Sequence, residues 1–450
     1  MEPLFLKPGP YDFEEQYQEQ LRIAKHLKEH FEENPNYAYE EIIGVGRNSL
    51  GALVRDRKSK NKRRLLVKRA FNTLGEEQIT REIQHFTTFG GLEHIVTMVA
   101  HAEQPTTSEK KGPVGQFFDN LKSSNFIRKR RDPRRIRSKL KFKPHVFGEP
   151  FLVLEYLENG TLTRLIRRCI HYQVNAPNRV LWAIFLCLIR ACVAMAYPGH
   201  VLRAKAGEKP RLEEIPTNYT GPPGGLAHQD LNPGKVMFGS PDQEQSEHNI
   251  VPALKFIDMQ TANELYGGTG VDYNLFDISV LMYCMIIANE DAGPLEQYAE
   301  HKSFHTMAIE IALGGNGENY QWLDPELRDI ICQCMAGQQN YRPSLRELLY
   351  VAQRAVQTKT SEAFPFGQRV NETDQAIKMW LQHVIYDAQT QPGPGDEMDI
   401  DYEGKGKGRA RDEHETRLQQ EYYQATGAPT VRERFLKDIR RMEEEQNNNK

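Results

Sequence analysis

The chain has no CxxC pair among its six cysteines, Cys169, Cys187, Cys192, Cys284, Cys332 and Cys334. They are scattered through apolar, helix-like stretches, which argues against a disulfide framework or a clustered zinc motif and makes each read as a buried reduced thiol. An excess of one charge is also missing: 58 Lys and Arg face 61 Asp and Glu, a formal net charge of −3. No global field recruits nucleic acid or a membrane, so an electrostatic partner must answer to a local patch. Long hydrophobic runs are absent too. The longest, VLWAIFLCLI from Val180 to Ile189, is shorter than a bilayer span. The opening residues MEPLFLKPGPYDFEEQ show no basic region followed by an apolar core, the mark of a signal peptide. The expectation is an intracellular protein, cytoplasmic or nuclear, with no membrane span.

What is present is a 450-residue chain with 39% hydrophobic and 26% charged residues, enough for a large core and two or three domains. Residues 1–38 carry an acidic, Gln-rich helical stretch bracketed by Pro8, Pro10 and Pro35. Residues 39–157 switch to short β-like runs, EEIIGVG, LGALVR, RRLLVKRAF, HIVTMVAHA and PFLVLEYL, interrupted by a polar insert over 104–148. Within them EEQITREIQHFTTF has helical spacing, with Ile79, Ile83 and Phe86 on one face. Residues 158–357 are mainly helical, and 358–450 read as a polar, largely disordered tail with a terminal helix. The fold class expected is α+β, a small β-rich part with one helix and a larger α-helical part. No internal repeat is evident.

Phosphoryl transfer needs a backbone cradle for phosphates, a cation on them, metal ligands and a base near the acceptor hydroxyl. Candidates for each occur in chain order. GRNSLGAL offers Gly46, Asn48 and Gly51 at the spacing of a phosphate-covering loop, with Leu53 following; the frame Gly44, Gly46 and Ser49 also fits. LLVK places Leu66 and Lys68 on an apolar strand, and REIQHF places Glu82 on the apolar side of a helix. Taken singly, these two are ordinary surface charges. FLVLEYLENGTL runs from a strand into a polar turn, where the backbone of Glu155 and Leu157 can meet an adenine edge with Leu154 behind it. AHQDLNPGKVM then carries His228, Asp230 and Lys235, and LKFID ends in Asp258. Asp277 opens an apolar stretch, and YRPSLRELL brings Arg342.

In that order, over roughly residues 40–357, GRNSLG, VK, RE, LVLEY, HQDLNPGK, ID, FDISVLMY and YRPSLREL resemble a eukaryotic-type protein kinase domain. The chain is most similar to the divergent kinase-like proteins of filamentous fungi. The resemblance implies a bilobal fold, ATP with Mg²⁺, and transfer to Ser or Thr of a protein substrate. It implies that Lys68 pairs with Glu82 and the α/β-phosphates, that Asp230 is the catalytic base, that Asp258 is the metal ligand, and that Asp277 braces the loop. His228 is expected to be structural. The sequence departs from the family where Gln229 replaces the usual Arg, Asn232 the usual Lys, and Met259 and Gln260 the usual Phe and Gly. Lys235 stands where the family has a metal-binding Asn, and an ammonium has no lone pair for Mg²⁺. One metal is therefore expected rather than two, with Lys235 answering phosphate charge directly and catalysis weak or unusual. The short segment from Asp258 to Asp277 has no A-P-E, which leaves Arg342 without its usual Glu. An inactive pseudokinase scaffold is the alternative. A small-molecule kinase of the aminoglycoside or choline kinase type is a second, since HQDLNPGK shares the Pro-Gly of that branch.

One local patch remains. RKRRDPRRIRSKLKFK, residues 128–143, has ten Lys and Arg against one Asp. A solvated insertion, an import-receptor signal, and a docking site for an acidic partner or an anionic surface all fit it.

Overall fold

The computed structural model describes residues 10–386 apart from 47, 60–61, 103–149, 206–207, 242–246, 293–296 and 314–319. The basic stretch 128–143, most of the insert around it and the stretch beyond Tyr386, terminal helix included, lie outside the described residues. The protein is α+β. Its sheet holds β1 (Tyr37–Val45), β2 (Ser49–Asp56), β3 (Arg64–Ala70), β4 (Met98–Ala102) and β5 (Phe151–Glu155), antiparallel in the order β1-β2-β3-β5-β4. Successive side chains on a strand point to opposite faces, so each strand feeds two cores. Ile43, Leu53, Leu66, Leu152 and Leu154 join the main core. Ile42, Ala52, Val54, Leu65, Val67, Phe151 and Val153 join a second core with Ile23, Ala24, Leu27 and Phe31 of α1 (Pro10–Glu32). The N-terminal helix thus packs on one face of the sheet.

Helix α2 (Thr73–Phe89) starts at Asn72, whose side chain accepts the Gly75 N–H at 2.8 Å. Ile79, Ile83, Phe86 and Phe89 are buried, as their spacing predicts. Gly75 is obligatory for a steric reason: a Cβ there would stand 2.1 Å from the carbonyl oxygen of Asn48. The β1–β2 turn therefore rests on the first turn of α2.

Among the described residues the remaining α-helices are α3 (Leu162–Tyr172), α4 (Asn178–Ala196), α5 (Gly270–Ile286), α6 (Ile309–Leu313), α7 (Pro325–Cys334), α8 (Leu345–Thr358) and α9 (Asp374–Leu381). Two small ribbons, β6 (Leu226–Ala227) with β9 (Asn263–Glu264) and β7 (Val236–Phe238) with β8 (Leu254–Phe256), and a hairpin of β10 (Ala299–His301) and β11 (Phe304–Thr306) complete them. Helix α4 is the axis of this half: every residue except Arg179 is buried. The apolar run expected to be too short for a bilayer is part of this helix, whose mean hydropathy of 2.0 and 19 residues suffice for a span by length and composition alone. Protein covers 94% of that window, the environment of a core helix.

The folded chain also runs beyond residue 357, where a disordered tail was expected. Ile377, Leu381, Val384 and Ile385 are buried in the main core. Glu372, 2% exposed, accepts the backbone N–H groups of Asn178 and Arg179 at 2.7 and 3.0 Å. Pro177, at the N-cap of α4, makes no side-chain cap, so this carboxylate satisfies donors the helix start would otherwise leave orphaned.

Candidate functional site

Two lysines and three carboxylates converge where β3, α2, β8 and the Asp230–Lys235 loop meet. Lys68 lies on β3 opposite Gly51 of β2, and Leu66 lies opposite Leu53. A Cβ on Gly51 would touch the Leu66 side chain at 3.0 Å, so the strand pair closes tightly beside Lys68. Lys68 Nζ donates to Glu82 Oε2 at 2.8 Å and lies 3.9 Å from Asp258 Oδ1. Lys235 Nζ donates to Asp258 Oδ2 in a very short contact and lies 3.7 Å from Asp230 Oδ2. All five side chains are buried, Lys235 at 1% and Glu82 at 0% exposure. One chain of alternating charge thus runs Glu82, Lys68, Asp258, Lys235, Asp230.

Burial raises carboxyl pKa values and neighbouring ammonium groups lower them, and the balance differs along this chain. Desolvation dominates at Glu82 and pushes it up to about 7 despite Lys68. At Asp258 burial works in the same direction, yet Lys235 and then Lys68 outweigh it and hold the carboxyl well below the usual range. Burial also raises Asp230, against the pull of Lys235. Glu82 Oε1 is buried with no hydrogen-bond partner among the described residues, so one acceptor inside the cluster is unspent.

The loop bearing Asp230 and Lys235 is held from several sides. Asn274 of α5 accepts the His228 N–H at 2.9 Å and donates to Leu226 O at 2.9 Å. These bonds brace the loop from α5, and Asp277 is buried one turn further along the same helix. Thr261 Oγ1 donates to His228 O, and Asn232 Oδ1 accepts the Gly234 N–H. His228 is structural, its imidazole pushed down to about 4 by burial and packed edge-on to Phe256. Gln229 has φ of 64°, a left-handed conformation unusual for a side chain of its size. Beyond Asp258, Met259 is buried in the core and Gln260 donates its N–H to Asp258 Oδ1. Arg342, deprived of a Glu, donates to Ala336 O and stacks over the Phe276 ring at 5.0 Å.

No protein-family model matches the chain, and it has no significant match among curated proteins. Its chemistry is therefore read from the geometry.

Three expected residues have other employment. Asn48 donates to Gln78, accepts from Asn72, and takes the Phe71 N–H on its carbonyl, so its polar atoms are committed to the start of α2 rather than to an open loop. Gly46 closes the same turn by donating its N–H to Ser49 O. Glu155 gives its N–H to Thr97 O, and its carboxylate accepts from Thr97 N and from Lys255 Nζ at 3.0 Å. Its backbone N–H is thereby taken, and Leu157 two residues on is buried. Lys255 also lies 3.9 Å from Glu93, a buried network that no motif announced.

Proposed function

We propose that this chain is a nucleotide-binding protein of divergent protein-kinase type, a Ser/Thr phosphotransferase of weak or unusual catalysis. The observation that supports this reading most is the Lys68–Glu82 ion pair meeting Asp258 and, through Lys235, Asp230. A chance set of surface charges does not assemble in the core, because each ion buried alone costs several kcal/mol. The five-stranded sheet with α2 against it, followed by a helical half, accords with a bilobal arrangement.

The residues suit the phosphates of ATP better than they suit a pair of Mg²⁺ ions. Lys68 and Lys235 offer two ammonium groups to anionic oxygens. Asp258 is the single carboxylate placed for a metal, and its Oδ2 already holds the Lys235 ammonium. The donor set does not fit a two-metal site, and a single ion would require Lys235 to give up Asp258. Asp230, whose Oδ2 faces Lys235, would take the proton of an acceptor hydroxyl on Oδ1. The Glu155 carbonyl and the Leu157 N–H would meet the adenine edge. The same Lys235–Asp258 contact favours a second reading, a pseudokinase scaffold whose internal cation replaces the metal.

A thermal-unfolding titration with ATP, with and without Mg²⁺, tests the proposal on the full chain. ATP at about 100 times its Kd stabilises by about 2.7 kcal/mol. The expected result is a shift that needs no Mg²⁺, is lost in Lys68→Ala, and becomes Mg²⁺-dependent in Lys235→Asn. Absence of any shift in the wild type would overturn nucleotide binding. A shift without phosphate transfer to any protein would select the scaffold, and transfer to small alcohols alone would select a small-molecule kinase.

A further inference from the structure

A second cluster shares no residue with the first. His94 comes from the segment between α2 and β4, Cys187 from the middle of α4, and His248 from the segment before β8. One ligand atom from each lies within 4.8 Å of the other two, and all three residues are buried. His94 Nε2 and both ring nitrogens of His248 are buried without a hydrogen bond of ordinary geometry. Buried ring nitrogens that lack a well-formed partner are costly, and here one from each of two imidazoles faces a thiol in the core.

The orientation of His94 is built. Its Nδ1 meets Glu213 Oε2 at 2.5 Å while its backbone N–H donates to Glu213 Oε1 at 2.8 Å, and both residues have 0% exposure. A carboxylate on one ring nitrogen is how metal-ligating histidines are oriented, leaving the other nitrogen to the metal. Two imidazole nitrogens and one thiolate suit a borderline-soft divalent cation. Charge agrees: the Glu213 carboxylate and a Cys187 thiolate together balance one divalent ion, while Arg190 and Glu247 already balance each other at 2.6 Å.

We infer that His94, Cys187 and His248 form a site for a divalent cation of zinc type, with Glu213 positioning His94 and water completing the tetrahedron. On binding, the Cys187 S–H bond breaks, its proton leaves to solvent, and sulfur coordinates the metal. Zinc at about 2.0–2.3 Å from its donors keeps them about 3.3–3.8 Å apart, so the side chains draw inward by about 1 Å at most. The metal would staple the segment after α2 to the core helix. That segment pairs with β8, since Phe256 N–H donates to His94 O and Val96 N–H to Phe256 O, both at 2.9 Å. The site therefore steadies the strand that leads to Asp258. Cysteine spacing concealed it because each ligand comes from a different segment.

The test strips the full chain with a chelator and titrates it with Co²⁺, then Zn²⁺. One Co²⁺ per chain with a thiolate charge-transfer band and tetrahedral d–d bands, displaced by Zn²⁺ with a rise in Tm, is the expected result. Cys187→Ser abolishes the charge-transfer band, Glu213→Gln weakens binding about 10–100-fold, and Cys169→Ser leaves both unchanged. If the variants fail to fold, the wild-type band and its stoichiometry decide. No band in the wild type would mean that the cluster holds only water, and a band surviving Cys187→Ser would place the thiolate elsewhere; either overturns the proposal. The outcome is independent of ATP binding.

Discussion

Lys235 is an ammonium at 1% exposure lying between two aspartates, so its removal and its neutralisation are different experiments. Deleting one partner of a buried ion pair strands the other, which costs about 3–5 kcal/mol, whereas removing both is far milder. Lys235→Met should lower stability by that amount in urea denaturation. The double variant Lys235→Met, Asp258→Asn should recover most of it. Strict additivity of the two changes would show that the contact carries no coupling. Lys68, 3.9 Å from Asp258 Oδ1, is the residual partner that keeps the single variant from the upper end of the range.

At the scale of elements, α2 is pinned at both ends of its inward face. Its first turn supports the Asn48 turn through Gly75, Glu82 reaches Lys68, and His85 Nε2 meets Ala262 O at 3.0 Å beyond Asp258. His85 gives this element a pH signature, because burial pushes its imidazole down to about 4. A histidine whose folded pKa lies below its unfolded value of about 6.5 costs nothing above pH 6.5. Stability is then lost as pH falls toward 4, by about 3 kcal/mol in total. Glu82 acts oppositely: raised to about 7, it gains stability on acidification from pH 7 to its unfolded value near 4.5. The contributions of His85 and Glu82 therefore nearly cancel between pH 7 and 4.5, while His228, also pushed down to about 4, adds its own loss of stability toward acid. His85→Gln should lose about 3 kcal/mol less stability than the wild type between pH 6.5 and 4, and two parallel curves would refute the assignment. Much of this element was legible beforehand. Ile79, Ile83 and Phe86 declare its buried face, and Glu82 lies within the same local pattern as Lys68. Its tertiary employment was not legible: Asn48 looks like a loop residue until Gln78 and Asn72 claim it. Asn274 and Glu213 act on backbone groups far away in sequence, where no periodicity reaches. Lys235 was recognised as an anomaly, but only coordinates reveal that it bridges both aspartates.

For the whole molecule, the C-terminal segment decides how much chain the fold needs. Glu372 caps α4 across 194 residues, so the helical half is closed by its last-made part. Glu372→Ala should cost about 2 kcal/mol, the range for loss of a charged cap. Thermal unfolding of that variant beside a chain ending at residue 357 should show the truncation to be the worse, since it also removes Ile377, Leu381, Val384 and Ile385 from the core. A truncated chain as stable as the wild type would show these contacts to be dispensable. The expected end near 357 followed the last strongly amphipathic helix, and the short helical turns after it carry too few apolar residues to announce themselves.

Helix α4 has a further consequence in time rather than in space. Domains are made from the N-terminus, and α4 leaves the ribosome well before α8 and the Glu372 segment that enclose it exist. Until then the nascent chain displays a 19-residue helix as apolar as a bilayer segment. The cover of α4 is complete only once the Glu372 segment has been made.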